Sequence, residues 1–91
     1  MNHTIGINDK VLDDVNIRGQ HLYLFLQLVK LADEDGVVIF TLTDLIRILK
    51  TNNKTTILGY LKVLMENGYI TKLDFTDKKS TYKLNKEYYS K

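Results

Sequence analysis

The 91-residue chain contains no cysteine and no proline. Without cysteine it can form no disulfide and supplies no thiol nucleophile or thiolate metal ligand, an absence typical of proteins in a reducing cytoplasm. No apolar run is long enough to span a bilayer, and the first residues lack the basic-then-apolar pattern of a leader. We therefore expect a cytoplasmic protein with no membrane partner.

Patterns that indicate catalysis are also missing. His3 and His21 are the two histidines, and neither lies near Asp, Glu or Cys at the spacing of a metal site or a catalytic triad. The acidic run at 33–35 lacks the alternating ligands and closing Glu of a calcium loop, so we interpret it as a solvated turn. There is no glycine-rich phosphate loop. The sequence predicts no catalytic residue, no metal, no cofactor and no enzymatic activity.

Positive charge is modest but unevenly placed. The formal net charge is +2, which alone does not establish a nucleic-acid partner. The second half of the chain, however, is distinctly basic and favours DNA as a partner. Its lysines are Lys50, Lys54, Lys62, Lys72, Lys78, Lys79, Lys83 and Lys86.

Residues 41–70 have the periodicity of two amphipathic helices. The first segment carries apolar residues from Leu42 to Leu49 and the second from Ile57 to Met65, with a polar turn at 51–53 between them. Thr41 or Thr43 is expected to cap the first helix, and Asn53 the second. Two short helices joined by a tight polar turn predict a helix-turn-helix.

An earlier helix is predicted over residues 18–32, and it is apolar on two sides. One stripe runs from Leu22 to Val29, and the second comprises Leu24, Leu28 and Leu31. Because a helix with two apolar stripes must be covered on both, the second face predicts coverage by the chain's own termini or by a second subunit in a homodimer. A short strand at 37–40 follows, after a turn at Gly36.

Beyond the helix-turn-helix, residues 70–75 and 81–84 alternate in the manner of strands and predict a β-hairpin with a basic loop at 76–80. One face should combine alternate residues of the two strands: Thr71, Leu73, Phe75, Tyr82 and Leu84.

The whole pattern predicts an α+β, mainly α fold with a three-helix core and a two- or three-stranded β-wing. An N-terminal arm at 1–17, with an extended piece and one helical turn at 10–13, should precede a domain at 18–85. A tail at 86–91, expected to form a short helix, should follow.

This order resembles the winged helix-turn-helix DNA-binding proteins of bacteria, plasmids and phages. The resemblance rests on the segments LTDL at 42–45, NKTTI at 53–57 and LKVLMENGYI at 61–70, the last of which is similar to MarR-like regulators. The segment VLDD at 11–14, followed by LYLFL at 22–26, also resembles the start of DnaD-like replication proteins. The resemblance to winged helix-turn-helix proteins implies a recognition helix at 53–67 in the major groove and a wing at 76–80 on the minor groove or the phosphate backbone.

Carried over by residue, the resemblance implies a DNA-binding surface made of Asn53, Lys54, Thr55, Thr56, Gly59, Tyr60, Lys62, Lys78 and Lys79. Lys54 and Lys62 suit phosphates, because an ammonium lacks the bidentate fork that reads a base. Gly59 indicates either close approach to DNA or tight packing against the preceding helix. Asn53 can read adenine or cap its helix, and Tyr60 can contact a phosphate or be half-buried.

The expected function is binding of double-stranded DNA, as a transcription regulator or as a plasmid or phage replication, partition or transfer factor. A homodimer, formed through Leu24, Leu28, Leu31 and the chain termini, would present two recognition helices to one duplex. The recognition helix contains no arginine. The alternative function is therefore a protein–protein interaction module in a replication assembly.

Overall fold

The computed structural model describes residues 6–7 and 19–90. The helices are α1 (Gln20–Leu31), α2 (Leu42–Leu49) and α3 (Lys54–Glu66), and the strands are β1 (Gly6–Ile7), β2 (Val37–Thr41), β3 (Ile70–Thr76), β4 (Lys79–Leu84) and β5 (Tyr89–Ser90). Three helices and a three-stranded antiparallel sheet form a winged-helix fold of the α+β class. The helical turn expected at 10–13 lies outside the described residues.

Helix α1 is the centre of the core. Leu24 and Leu28 are fully buried, and so are Phe25 and Val29 on the other stripe. The helix contacts α2, α3 and β2, so neighbours from the same chain surround it. The prediction that Leu24 and Leu28 form a dimer face is therefore wrong, because both side chains are used inside one chain. Only Leu31 of that stripe is exposed, at 57%.

The helix-turn-helix has the predicted caps. Thr41 Oγ1 accepts a hydrogen bond from the Asp44 backbone N–H at 3.1 Å, while the Asp44 carboxylate accepts one from the Thr41 N–H at 2.8 Å. This capping box fixes the start of α2. At its other end Lys50 is left-handed, with φ of 56°, and turns the chain toward α3. Local interactions thus define where α2 begins and where the chain turns toward α3.

The sheet has the strand order β2-β4-β3, so the short strand before α2 extends the hairpin to three strands. The predicted matching of faces is wrong for Thr71 and Leu73, which lie on the side of the sheet opposite to Tyr82, and correct for Phe75. Lys72 lies opposite Tyr82 and Asp74 lies opposite Thr81, which leaves Leu73 as a β-bulge. Because a bulge adds one residue to a strand, it shifts the alternation after it. Phe75 therefore shares the core side of the sheet with Tyr82 only because of the bulge, and Leu73 lies on the outer side.

The hairpin loop is shorter than predicted. Thr76 pairs with Lys79, so the connection is Asp77-Lys78 alone. Both residues have positive φ, 55° and 65°, as a two-residue type I′ turn requires. Lys79 therefore belongs to β4 and not to the tip, while Lys78 lies in the turn itself.

The tail is packed onto the domain and contains a short helix as expected, a 3₁₀ helix at Lys86–Tyr88, which is followed by β5. Tyr88 stacks on buried Tyr69 with ring centroids 4.2 Å apart, and Tyr89 lies edge-on to Phe25 at 5.9 Å. Strand β5 pairs antiparallel with β1, so the two ends of the chain meet. Burial, and secondarily the Asp33 carboxylate, raises the pKa of the Tyr89 hydroxyl above its ordinary value.

Candidate nucleic-acid interface

The exposed side of α3 is a stripe of residues spaced four apart. Ile57, Leu61 and Leu64 turn into the core and fix which side faces outward. The outward residues at this spacing are Lys54, Leu58, Lys62 and Glu66, with Thr55 exposed beside them. From Lys54 to Lys62 the exposed side chains are therefore polar or basic, with Leu58 as the exception.

Asn53 begins α3 as its N-cap. Its side-chain oxygen accepts a hydrogen bond from the Thr56 backbone N–H at 3.1 Å. The side-chain carbonyl is therefore engaged with the helix, which favours the capping interpretation over direct reading of adenine. Thr56 is half-buried, whereas Thr55 is exposed. Of these three residues, Thr55 is the best placed to contact a ligand.

Tyr60 packs against α1. Its ring meets the His21 ring edge-on, with centroids 5.0 Å apart and planes at 81°. Both side chains are half-buried. Tyr60 thus lies on the side of α3 that faces α1, and it is not part of the exposed stripe. His21 is a packing residue in this arrangement.

Gly59 lies in the middle of α3 with open space above it. A Cβ built at this position meets no described atom within 4 Å outside its own helix backbone and sequence neighbours. Tight packing against α2 is therefore not the reason for a glycine here. A mid-helix glycine destabilises a helix by about 1 kcal/mol relative to alanine, so its presence is not explained by the stability of this chain.

The wing contributes lysines on two sides. Lys78 is exposed in the I′ turn, and exposed Lys79 pairs with Thr41 and Thr76 on the outer side of the sheet. Within the described residues, neither these two lysines nor Lys54 and Lys62 form an ion pair. Four ammonium groups are therefore available to an anionic partner. From Lys50 to Lys83 the chain carries seven lysines against three carboxylates.

Two exposed apolar features were not predicted from the sequence. Leu58 is 58% exposed in the centre of the α3 stripe, and Phe75 is 58% exposed on the wing with Lys72 Nζ 5.5 Å from its ring centroid. A helical projection would have found Leu58, because it lies four residues from both Lys54 and Lys62. Alternation placed Phe75 on the face of Tyr82 but did not show that its ring is exposed, because exposure depends on where the core ends along the sheet.

Comparison of the chain with protein-family models, curated proteins and solved structures finds no match. Over residues 6–7 and 19–90, no group of three or more His, Asp or Glu side chains is arranged to hold a metal ion. No helix in the same part of the chain has both the length and the apolar character needed to cross a membrane. The geometry of α3 and the wing is therefore the basis for a functional conclusion.

Proposed function

We propose that this chain binds double-stranded DNA, with α3 in the major groove and the wing on the minor groove or the phosphate backbone. The observation that carries the proposal is the outward stripe of α3. It offers two lysines without ion pairs among the described residues, and exposed Thr55, on the second helix of a helix-turn-helix. A helix of this kind fits the major groove, where residues near its N-terminus reach the base edges.

The residues of the stripe would contact different parts of the duplex. Lys54 and Lys62 bind phosphates on either side of the groove, which supplies affinity but no sequence discrimination. Thr55 offers a hydroxyl to a base, and its methyl group and the Leu58 side chain offer apolar contact to thymine methyls. Since no arginine reads guanine here, base discrimination is modest, and DNA shape contributes to target choice.

The biological setting that we propose is cytoplasmic: a transcription regulator, or a replication, partition or transfer factor of a plasmid or phage. A homodimer would place two α3 helices about 34–36 Å apart, one turn of DNA. Leu31 and the paired chain ends remain the surface we propose for that dimer, since Leu31 is 57% exposed.

The direct test measures the affinity of the chain for a pool of random-sequence duplexes of about three helical turns. The measurement uses fluorescence anisotropy and begins at low salt. We expect binding that weakens steeply with salt, because phosphate contacts release counterions. Random single strands of the same length provide the control and should bind more weakly. Absence of duplex binding at every salt concentration would reject the proposal.

Replacing Gly59 by alanine should change stability and DNA affinity in opposite directions. The new Cβ enters open space, so the free energy of unfolding should rise by about 0.5–1 kcal/mol. The same Cβ occupies the place where DNA approaches α3, so duplex affinity should fall by roughly tenfold, the equivalent of about 1.4 kcal/mol. Urea unfolding and duplex titration measure the two effects.

The control for Gly59→Ala is Glu66→Ala, an exposed substitution at the last turn of α3, away from the proposed base contacts. It should not weaken duplex binding, and it should raise affinity by no more than about twofold, under 0.5 kcal/mol, because it removes a carboxylate and no base contact. If Gly59→Ala stabilised the chain without weakening binding, the glycine would not mark a point of close approach.

The second candidate function is a protein–protein interaction module. Leu58 favours it, because a large apolar side chain at the centre of an exposed helix face is also what a protein partner would cover. Leu58→Lys separates the two functions. If α3 contacts DNA, it should retain salt-dependent duplex binding, because the added ammonium group offsets the lost contact to thymine methyls. It should abolish association with a partner that buries Leu58.

A further inference from the structure

We propose that Phe75 is an apolar wedge that enters the minor groove of the bound duplex and kinks it at one base step. The inference rests on the proposed function, because it requires the wing to lie on DNA. It adds a residue and a mechanism of target choice that the recognition helix does not provide.

The position of Phe75 is unusual for a large aromatic residue. It pairs with Ser80 and shares the core side of the sheet with Tyr82, yet Tyr82 is 4% exposed and Phe75 is 58% exposed. Strand β3 is the edge of the sheet, and the residue opposite Phe75 is a small serine. The ring therefore projects beyond the end of the core, two residues before the hairpin turn.

The charges around the ring favour an anionic partner. Lys72 lies on the same side of the sheet, with its Nζ 5.5 Å from the ring centroid. The hairpin carboxylates lie elsewhere, Asp74 opposite Thr81 on the outer side and Asp77 in the turn. An aromatic ring with an ammonium group beside it suits a base step flanked by phosphates.

Addition of another protein strand fits this surface less well. A lysine and a bulge on an edge strand are both features that prevent pairing with a second sheet, and β3 has both at Lys72 and Leu73. The short I′ turn also holds the two strands in a fixed ladder up to the pair of Thr76 with Lys79. The wing therefore presents its ring at the unpaired β3 edge of a three-stranded sheet.

A ring that projects from the edge of a sheet matches the requirement of a groove wedge, which is that one apolar side chain can enter the groove. The minor groove is about 6 Å wide, so it admits a single side chain more readily than a helix. Apolar side chains inserted there partly unstack a base step and bend the duplex by about 20–90°. Pyrimidine–purine steps unstack most easily, so the wedge would favour targets with a TA or CA step under the wing.

The test compares Phe75→Ala with Leu73→Ala in the full chain. Both remove an exposed apolar side chain from β3, but Leu73 (51% exposed) lies on the outer side of the sheet. Duplex affinity is measured by anisotropy, and bending by energy transfer between dyes at the two ends of a duplex of about 25 base pairs. Duplexes that carry a central TA step and duplexes with a stiff A-tract are compared.

We expect the unaltered chain to bend the TA duplex and to prefer it over the A-tract. Phe75→Ala should lose the bend and bind the TA duplex roughly 10- to 100-fold more weakly, in line with the loss of one aromatic–base contact. Leu73→Ala should behave as the unaltered chain does, and Phe75→Leu, which keeps an apolar wedge, should keep part of the bend.

Three results would overturn the wedge. The duplex could bind without bending, Phe75→Ala could bind and bend as the unaltered chain does, or Phe75→Ala could abolish self-association while leaving DNA affinity intact. The first two leave the proposed DNA-binding function in place and reject only the wedge. Failure of the unaltered chain to bind any duplex rejects both proposals.

Discussion

Replacing Lys54, Lys62 and Lys78 together by alanine should reduce duplex affinity by roughly 100-fold at low salt and leave the fold intact. The three ammonium groups are exposed and form no ion pair with any described residue, so their loss removes no internal interaction. Each phosphate contact contributes about −0.9 to the slope of log affinity against log salt concentration, so the slope should become less negative by about 2.7.

The matched control for this triple variant is Lys30→Ala, Lys83→Ala and Lys86→Ala. It makes the same change in net charge at exposed positions outside the α3 stripe and the wing turn. Because Lys86 donates a hydrogen bond to the Glu34 carbonyl oxygen, urea unfolding of this control is measured alongside its DNA affinity. Its duplex affinity should fall only by the long-range effect of charge, about threefold, because no phosphate contact is lost. Equal losses and equal salt slopes in the two variants would contradict the assignment of α3 and the wing as the DNA surface.

Replacing Tyr69 by alanine should destabilise the chain by about 3–5 kcal/mol, most of the stability of a domain this size. Its side chain is fully buried, lies edge-on to Phe25 at 5.2 Å and stacks on Tyr88 at 4.2 Å. The substitution leaves a cavity between α1 and the tail that the surrounding backbone cannot close.

Tyr69 also connects the recognition helix to the wing. Its N–H donates to the Leu64 carbonyl oxygen at 2.9 Å, and its own carbonyl oxygen accepts from the Asn85 N–H at 2.8 Å. The residue thus ties the end of α3 to the end of β4. Because alanine keeps both backbone hydrogen bonds, the stability lost in Tyr69→Ala should come from the packing of the ring against Phe25 and Tyr88.

Urea unfolding of three variants measures this prediction. Tyr69→Phe keeps both ring contacts and should cost about 1–1.5 kcal/mol through the hydroxyl group. Tyr23→Ala, which removes a tyrosine side chain that is 42% exposed, should cost well under half as much as Tyr69→Ala. A midpoint for Tyr69→Ala within error of the unaltered chain would show that the tail and α1 are not joined through this ring.

The helix-turn-helix could be predicted from the sequence because its signals are local. Helical periodicity selected Ile57, Leu61 and Leu64 as core residues, and Asn53 and Thr41 cap the helices within three residues of their own positions. Such interactions depend on neighbours in sequence, which a linear pattern contains.

The wing and the α1 faces depend on distant pairing, and there the predictions failed. The bulge at Leu73 reverses the alternation of β3, and the two-residue turn moves Lys79 from the loop into β4. Likewise, two apolar stripes on α1 do not say whether a second subunit or the same chain covers Leu24 and Leu28. In the structure, α2, α3 and β2 of the same chain cover these two side chains.

The measurement that tests the central claim most directly is an NMR titration of the isotope-labelled chain with one duplex at low salt. We predict that amide shifts change along the outward stripe of α3, from Lys54 to Lys62, and on the wing from Lys72 to Lys78. Outer-sheet residues such as Ile39 and Thr81 should stay unchanged. Changes confined to that outer side of the sheet, or no change at a stoichiometric excess of duplex, would contradict the account.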